Sequence, residues 1–304
     1  MPTTNPALSR LGFPDDARLV IFHVDDVGMC HGSNRAYLEL HEAGIVKTGS
    51  LMVPCPWSHE MLAICQQRPD LDLGVHLTLT SEWPHYRWGP ISTRDWESGL
   101  VDAAGCFWPQ TAAVASNLNV AAAVAELSAQ VQLVRDAGIR FTHIDTHMGT
   151  ALLPELFPHY VELGFVHQVP VLVLRGFDDY TRMLNSSGLS DEEWAYFVAG
   201  LEERGMPLVD TFRFTPGYHV GDAEGGRPEL YERILRELPR GITYFSLHAN
   251  APGDIEIING LSAHWRTFEY QYFQSDRLRS FLEREEIIPI GYEELRELMR
   301  AAGS

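Results

Sequence analysis

Runs of apolar, often β-branched residues alternate with stretches of helical periodicity along almost the whole chain. The first apolar run covers 17–24 and is followed by a helical pattern at about 33–43. A second strand at 48–53 leads to a helix at about 58–67. A third strand at 71–80 opens onto a long irregular segment rich in Trp, Pro and Gly. Residues 117–137 are strongly helical, and Gly138 supplies the stop. Strand patterns at 141–147, 169–175, 208–214 and 242–248 then alternate with helical patterns at 153–163, 191–204 and 228–237. A last strand at 287–290 and a helix from Glu293 finish the chain.

Strands this apolar, each followed by a helix, predict a parallel sheet covered by helices. Seven or eight such units favour a closed or nearly closed (β/α) barrel over an open doubly wound sheet. No GxGxxG follows the first strand, as a dinucleotide fold would require. No repeat, low-complexity segment or linker divides the sequence. The expectation is an α/β fold with one domain over residues 1–304, a barrel of seven or eight mostly parallel strands. Two decorated loops are expected, at about 81–116 and 178–190.

Composition narrows the function more than the fold. The chain has 304 residues, a hydrophobic fraction of 45% and a formal net charge of −18. That charge, with no cluster of Lys and Arg, excludes a nucleic-acid partner, because such binders neutralise phosphates with clustered cations. It also argues against anionic membranes and highly anionic substrates. No apolar run approaches the roughly 20 residues needed to cross a bilayer. The first eleven residues lack the basic-then-apolar order of a secretory signal. The four cysteines, Cys30, Cys55, Cys65 and Cys106, have neither zinc-finger nor CxxC spacing and read as reduced thiols. A cytoplasmic protein is expected, and a homo-oligomer is left open.

Chemically able side chains fall at strand ends. Asp25 and Asp26 close the first strand, His76 lies late in the third, and His143, Asp145 and His147 line the end of the fourth. Arg175 ends the fifth strand and His248 the seventh. In a (β/α) barrel these ends open onto one face, where active sites form. Strand alternation puts His143, Asp145 and His147 on one face, and Gly74, His76, Thr78 and Thr80 on one face of theirs. The paired aspartates would point to opposite faces in a regular strand, but where the chain turns both can reach one site. That suits a division of labour, one carboxylate ligating a metal and the other handling protons. Two imidazoles and a carboxylate fill three positions around a divalent ion and leave room for water and substrate. Asp145 is suited to accept the second ring N–H of a ligating histidine.

Bland readings compete with each of these. An isolated Asp pair is a helix cap, and an isolated His in an apolar strand is a satisfied core residue. Arg175 pairs equally well with the acidic segment that follows it. Trp83, Trp88, Trp96 and Trp108 either stack on a bound ligand or pack their loop down. His23 and the other histidines away from the strand-end set default to surface or structural roles. Three polar groups on one strand face, as in His143-x-Asp145-x-His147, are costly to bury without partners.

The ordered set of motifs resembles the YdjC-like carbohydrate deacetylases. His23-Val-Asp-Asp-Val-Gly28 is similar to that family's ADDFG opening. Gly44-Ile-Val-Lys-Thr48 with Ser50-Leu-Met-Val53 resembles its next strand, and Gly74-Val-His-Leu-Thr-Leu-Thr80 its GxHxxLT segment. Thr142-His-Ile-Asp-Thr-His147 is similar to its HxDSH motif, and Tyr244-Phe-Ser-Leu-His248 to the strand carrying its late histidine. The resemblance implies a distorted (β/α) barrel related to polysaccharide deacetylases, acting on an acetyl or related N-acyl group of a carbohydrate-like small molecule. It places the metal ligands at Asp26, His76 and His147, the base at Asp25, and an acid or transition-state stabiliser at His248. Arg175 matches a strand-end arginine of the family. One divalent ion, Zn²⁺ or Mg²⁺, is implied.

Departures from the family pattern fall around the same motifs. His23 and Val27 replace the usual Asn and Phe, Met148-Gly-Thr150 replaces further histidines, and Ala249 replaces a Pro. They predict a remodelled substrate pocket. Two alternatives compete: a catalytically silent sugar-binding relative, and a non-haem iron oxygenase using His143 and Asp145 with a distant histidine. The latter chemistry usually sits on an antiparallel jelly roll, against the alternation seen here.

Overall fold

The structure, a computed structural model, describes residues 4–176, 189–214 and 226–302. The loop expected at 178–190 therefore lies almost entirely outside the described residues. Seven strands, β1 (Arg18–Val27), β2 (Thr48–Leu51), β3 (Asp72–Leu77), β4 (Ile144–Thr146), β5 (Thr211–Arg213), β6 (Gly241–Leu247) and β7 (Ile287–Pro289), form one sheet. Its order is β4-β3-β2-β1-β6-β5, with β7 on β1, and every ladder is parallel. Single parallel bridges, Ile144 to Val171 and Leu174 to Val209, carry the ring from β4 round to the approach of β5. The predicted fifth strand is thus present as an extended segment with only point contacts. The outcome is a distorted barrel with helices outside it, as the alternation predicts.

Register explains the distortion. β7 pairs with the first residues of β1, Arg18 to Val20, whereas β2 pairs higher up, from His23 onward. Two strands therefore share one edge of β1, one at the bottom of the barrel and one at the top.

The alternation of β1 sorts its side chains into two cores. Val20, Phe22 and Val24 join Tyr37 and Leu40 between sheet and helices. Leu19 and Ile21 point inward with Ile242, Tyr244 and Ile290. The inward row continues upward as His23 and Asp25, and on β6 as Ser246. The barrel is apolar at its floor and polar at its mouth.

Three helices absent from the sequence pattern lie between β6 and β7: Asp254–Ile258, Gly260–Tyr272 and Asp276–Arg284. The second matters for the site, because its buried face carries Arg266 and Glu269. The first long loop is pinned from several sides. Glu126, fully buried on the helix Val120–Asp136, accepts from the backbone N–H groups of Ile91 and Ser92. Trp88 donates its indole N–H to the Thr80 carbonyl at 2.7 Å. No helix among the described residues is long and apolar enough to cross a membrane.

Candidate metal centre

The paired aspartates reach one site because β1 breaks its regular pleat between them. The β1–β2 register shifts between Val24 and Val27, and Asp26 adopts a left-handed backbone with φ 63°. Such a conformation is uncommon outside glycine, and Asp and Asn tolerate it best. The kink keeps Asp25 on the inward row and turns Asp26 toward β3 and β4.

There Asp26 meets His76 from β3 and His147 from just beyond β4. Asp26 Oδ1 lies 3.3 Å from His147 Nδ1 and 3.7 Å from His76 Nε2. Ligand atoms of the three residues fall within 4.8 Å of one another, and all three residues are buried. Asp26 Oδ1 has no hydrogen-bond partner although it is buried. An orphaned carboxylate oxygen facing two ring nitrogens fits a cation, since leaving such an atom unpaired costs free energy.

The surrounding groups hold this triad in place. His76 Nδ1 donates to Asp145 Oδ1 at 2.8 Å, and Ser50 donates to Asp145 Oδ2 at 2.9 Å. This fixes the tautomer that leaves His76 Nε2 free toward Asp26. His147 turns its other nitrogen, Nε2, to Glu82 Oε2 at 3.1 Å. Burial opposes charge on His147, but Glu82 and Asp26 outweigh it and lift its pKa to about 10. Burial likewise opposes charge on Asp26, yet His147, His248 and Arg266 hold its carboxyl well below the usual range. Arg266 donates to Asp26 Oδ2 at 3.1 Å and lies between the Trp83 and Trp265 rings. Neither Glu82 nor Arg266 stands out in the sequence: one sits in an irregular loop, the other on a helix that the pattern does not show.

Asp25 occupies the adjacent position. Its Oδ1 lies 2.6 Å from His23 Nδ1 and accepts from the Tyr244 hydroxyl at 3.0 Å, and its Oδ2 accepts from Ser246 at 2.7 Å. His248 Nε2 stands 3.9 Å from Asp25 Oδ2. Burial drives His248 down to about 4 against the pull of Asp26, so its ring is neutral near pH 7.

The remaining expected residues are placed differently. His143 lies beneath Asp25, with its Nε2 2.7 Å from His23 Nε2, rather than beside the triad. His23, His143 and Asp145 form a second close group of potential ligands. Two nitrogens in neighbouring positions of an octahedral iron would stand about 3.0 Å apart given metal–nitrogen bonds of about 2.1 Å. The closer 2.7 Å contact is that of a shared proton, which removes the geometric support for an iron site there. Arg175 is engaged by Glu202 at 2.6 Å and Asp210 at 3.0 Å. Of the loop tryptophans, Trp83 and Trp88 are buried in the packing and only Trp96, at 76% exposure, is open to solvent.

A parallel barrel with a buried Asp/His/His group and a second aspartate at the C-terminal mouth defines the class, that of barrels with a candidate catalytic metal centre. The sequence profile of the YdjC-like protein family matches residues 19–284, and the chain belongs to that family. It is 36% identical over 245 residues to a carbohydrate deacetylase of Thermus thermophilus, covering 81% of this chain and 82% of that one. It is 26% identical over 278 residues to a carbohydrate deacetylase of Vibrio vulnificus, covering 91% and 96%. A crystal structure from Enterococcus faecalis, of a protein with a proposed role in cellobiose-phosphate cleavage, superposes with a TM-score of 0.70. At 21% identity over 92% of this chain and 99% of the other, that likeness concerns the fold.

Proposed function

We propose that this protein is a metal-dependent carbohydrate deacetylase, hydrolysing an acetamide or related N-acyl group on a sugar-like small molecule. The observation that carries the reading is the buried Asp26, His76 and His147 group, with an unpartnered Asp26 oxygen, set beside Asp25 at the barrel mouth. The relatives named above as carbohydrate deacetylases supply the substrate class.

Asp26, His76 and His147 would hold one divalent ion. Two nitrogens and one oxygen favour a transition ion such as Zn²⁺ over Mg²⁺, which prefers an all-oxygen shell. When bound, such an ion supplies Lewis acidity to the acyl oxygen and to the attacking water. Asp25 takes a proton from that water through Oδ2, which has one partner, Ser246, whereas Oδ1 is engaged by both His23 and Tyr244. The water oxygen bonds to the acyl carbon, the carbon–nitrogen bond breaks, and the departing amine takes up a proton. His248, whose burial makes its protonated form a strong acid, is positioned to deliver that proton once it holds one.

The test is Asp25→Asn, which keeps the side-chain shape and removes the base. Acetate release from a panel of N-acetylated sugars should fall by a factor on the order of 10²–10⁴ while bound metal is unchanged. Retained activity removes Asp25 as the base. Tight sugar binding by the parent protein without any turnover points instead to a silent binding relative.

A further inference from the structure

A continuous line of buried hydrogen bonds runs down the barrel axis from Asp25. His23 Nδ1 meets Asp25 Oδ1 at 2.6 Å, and His23 Nε2 meets His143 Nε2 at 2.7 Å. His143 Nδ1 meets Thr142 Oγ1 at 2.9 Å, and Thr142 Oγ1 meets Asp72 Oδ1 at 2.5 Å. His23 and His143 are completely buried, Thr142 is 1% exposed, and Asp25 and Asp72 are 8% and 5% exposed. Each of these groups has a protein partner at hydrogen-bond distance, so the protons can be assigned along the line.

The accounting starts at the floor. Asp72 Oδ2 accepts from the backbone N–H groups of Tyr292 and Glu293, and Oδ1 accepts from Thr48 and Thr142. Burial pushes the Asp72 carboxyl up, against the pull of Thr142, the Glu293 N–H and Thr48. As a carboxylate it takes the only proton of Thr142, which then accepts from His143 Nδ1. Burial, and the His23 ring beside it, hold His143 well below the ordinary histidine range, so it carries one ring proton. That proton is at Nδ1, which makes His143 Nε2 an acceptor and His23 Nε2–H its donor. His23 Nδ1 then faces Asp25 Oδ1 at 2.6 Å.

The fold is shaped to hold this line. Gly74 leaves room for His143: a Cβ there would run into the ring. Tyr292 stacks on His143 at 3.9 Å and 14°, and Tyr244 stacks on His23 at 4.8 Å and 28°.

We propose that His23 and His143 are positioning residues for Asp25: a buried imidazole pair, anchored on Asp72, that locks Asp25 Oδ1 and leaves Oδ2 facing the mouth. Their part in turnover rests on the deacetylase reading above, whereas the direction of the hydrogen bonds does not. His23 is also where the chain departs from the usual Asn before the paired aspartates, and an imidazole reaches the pair's partner below in a way that a short amide does not.

Two measurements decide it. In ¹⁵N-histidine-labelled protein, metal-free or zinc-loaded, NMR should find His143 with a proton-bearing Nδ1 and a bare Nε2, and His23 with a proton at Nε2. The reverse tautomer of His143 overturns the relay. In turnover, His143→Phe keeps the ring stack but ends the line. It should lower kcat by a factor on the order of 10–100, the usual loss when a supporting partner is removed, with KM and bound metal unchanged. His143→Gln, which offers an acceptor to His23, should recover part of that loss. An unchanged kcat in His143→Phe, or a fall matched by loss of metal, overturns the positioning role. If the parent protein releases no acetate, the deacetylase reading fails, while the tautomer of His143 still decides the relay.

Discussion

Asp26 combines three constraints that seldom meet in one side chain: a left-handed backbone, nearly complete burial, and one oxygen without a partner. Its other oxygen is held by Arg266 at 3.1 Å, so the carboxylate cannot rotate away from the two histidines. Asp26→Asn should tolerate the same backbone, because Asn also enters the left-handed region readily. It should nevertheless abolish stoichiometric divalent-metal binding in calorimetry, since it removes the anionic ligand. Binding that survives would place the ion elsewhere. Glu82 acts one step further out, through His147 Nε2. Glu82→Ala should weaken metal affinity on the order of 10- to 100-fold, the cost of an unsupported ligand ring. An affinity equal to the parent's would reduce Glu82 to a surface contact. The sequence makes Asp26, His76 and His147 legible because they sit at strand ends. Glu82 and Arg266 are illegible for the opposite reason, as neither an irregular loop nor a helix with a blurred stripe has a periodicity that says where its side chains point. His23 gives no signal either, because an isolated imidazole in an apolar strand has no visible partner until β4 is laid beside β3.

At the scale of elements, β3 is cut to fit its neighbours. Gly74→Ala would drive a methyl group into the His143 ring, and overpacking of this kind costs about 1–3 kcal/mol. A lowered denaturation midpoint is expected, and an unchanged one would mean that His143 can move aside. The first long loop is held by a second device, Arg87 bridging to Asp102 at 2.8 Å, with the Ala104 and Cys106 N–H groups also donating to Asp102. Burial works to raise the Asp102 pKa, but Arg87 and those N–H groups prevail and lower it. A carboxyl depressed in the folded state stabilises it fully above its unfolded value, near ~3.9, and that contribution is lost as pH falls through the folded value. Hydrogen-exchange protection of Ala104 and Cys106 should therefore drop below about pH 4. In Asp102→Asn it should already be weak at neutral pH and lose that acid step. An acid step that persists in the variant would assign it to another group. Strand order and the parallel sheet follow from apolar runs separated by helices, which is why they can be read from the chain. The fifth strand is harder to place, because Val171 and Leu174 make only point bridges to β4 and to Val209. The helices between β6 and β7 escape notice because polar residues such as Arg266 and Glu269 occupy their buried faces, which blurs the apolar stripe.

The whole molecule gathers negative charge and then concentrates part of it where cations would enter. Its net charge is −18, and the mouth adds Asp25, Asp26, Asp145 and Glu82 within one enclosed cluster. Packing so many carboxylates together is tolerated through Arg266 and through charge on His147, whose pKa of about 10 reflects the same neighbours. A divalent ion would relieve that crowding only in the folded state, because the ligands come from β1, β3 and the segment after β4 and are scattered once the chain unfolds. Binding confined to the native state raises stability by about 2.7 kcal/mol when free ion exceeds its dissociation constant about 100-fold. Domains of roughly 150–250 residues gain about 2–4 °C per kcal/mol, so a shift of several degrees is within reach of a thermal melt. Chelator-treated protein should melt lower than protein resupplied with Zn²⁺. Mg²⁺ at equal concentration should restore less, because two imidazoles suit it poorly. Asp26→Asn should melt at one temperature whether or not zinc is added. If the parent chain also melts at one temperature with and without the ion, the carboxylate cluster is balanced by its own cations, and the centre is not a metal site.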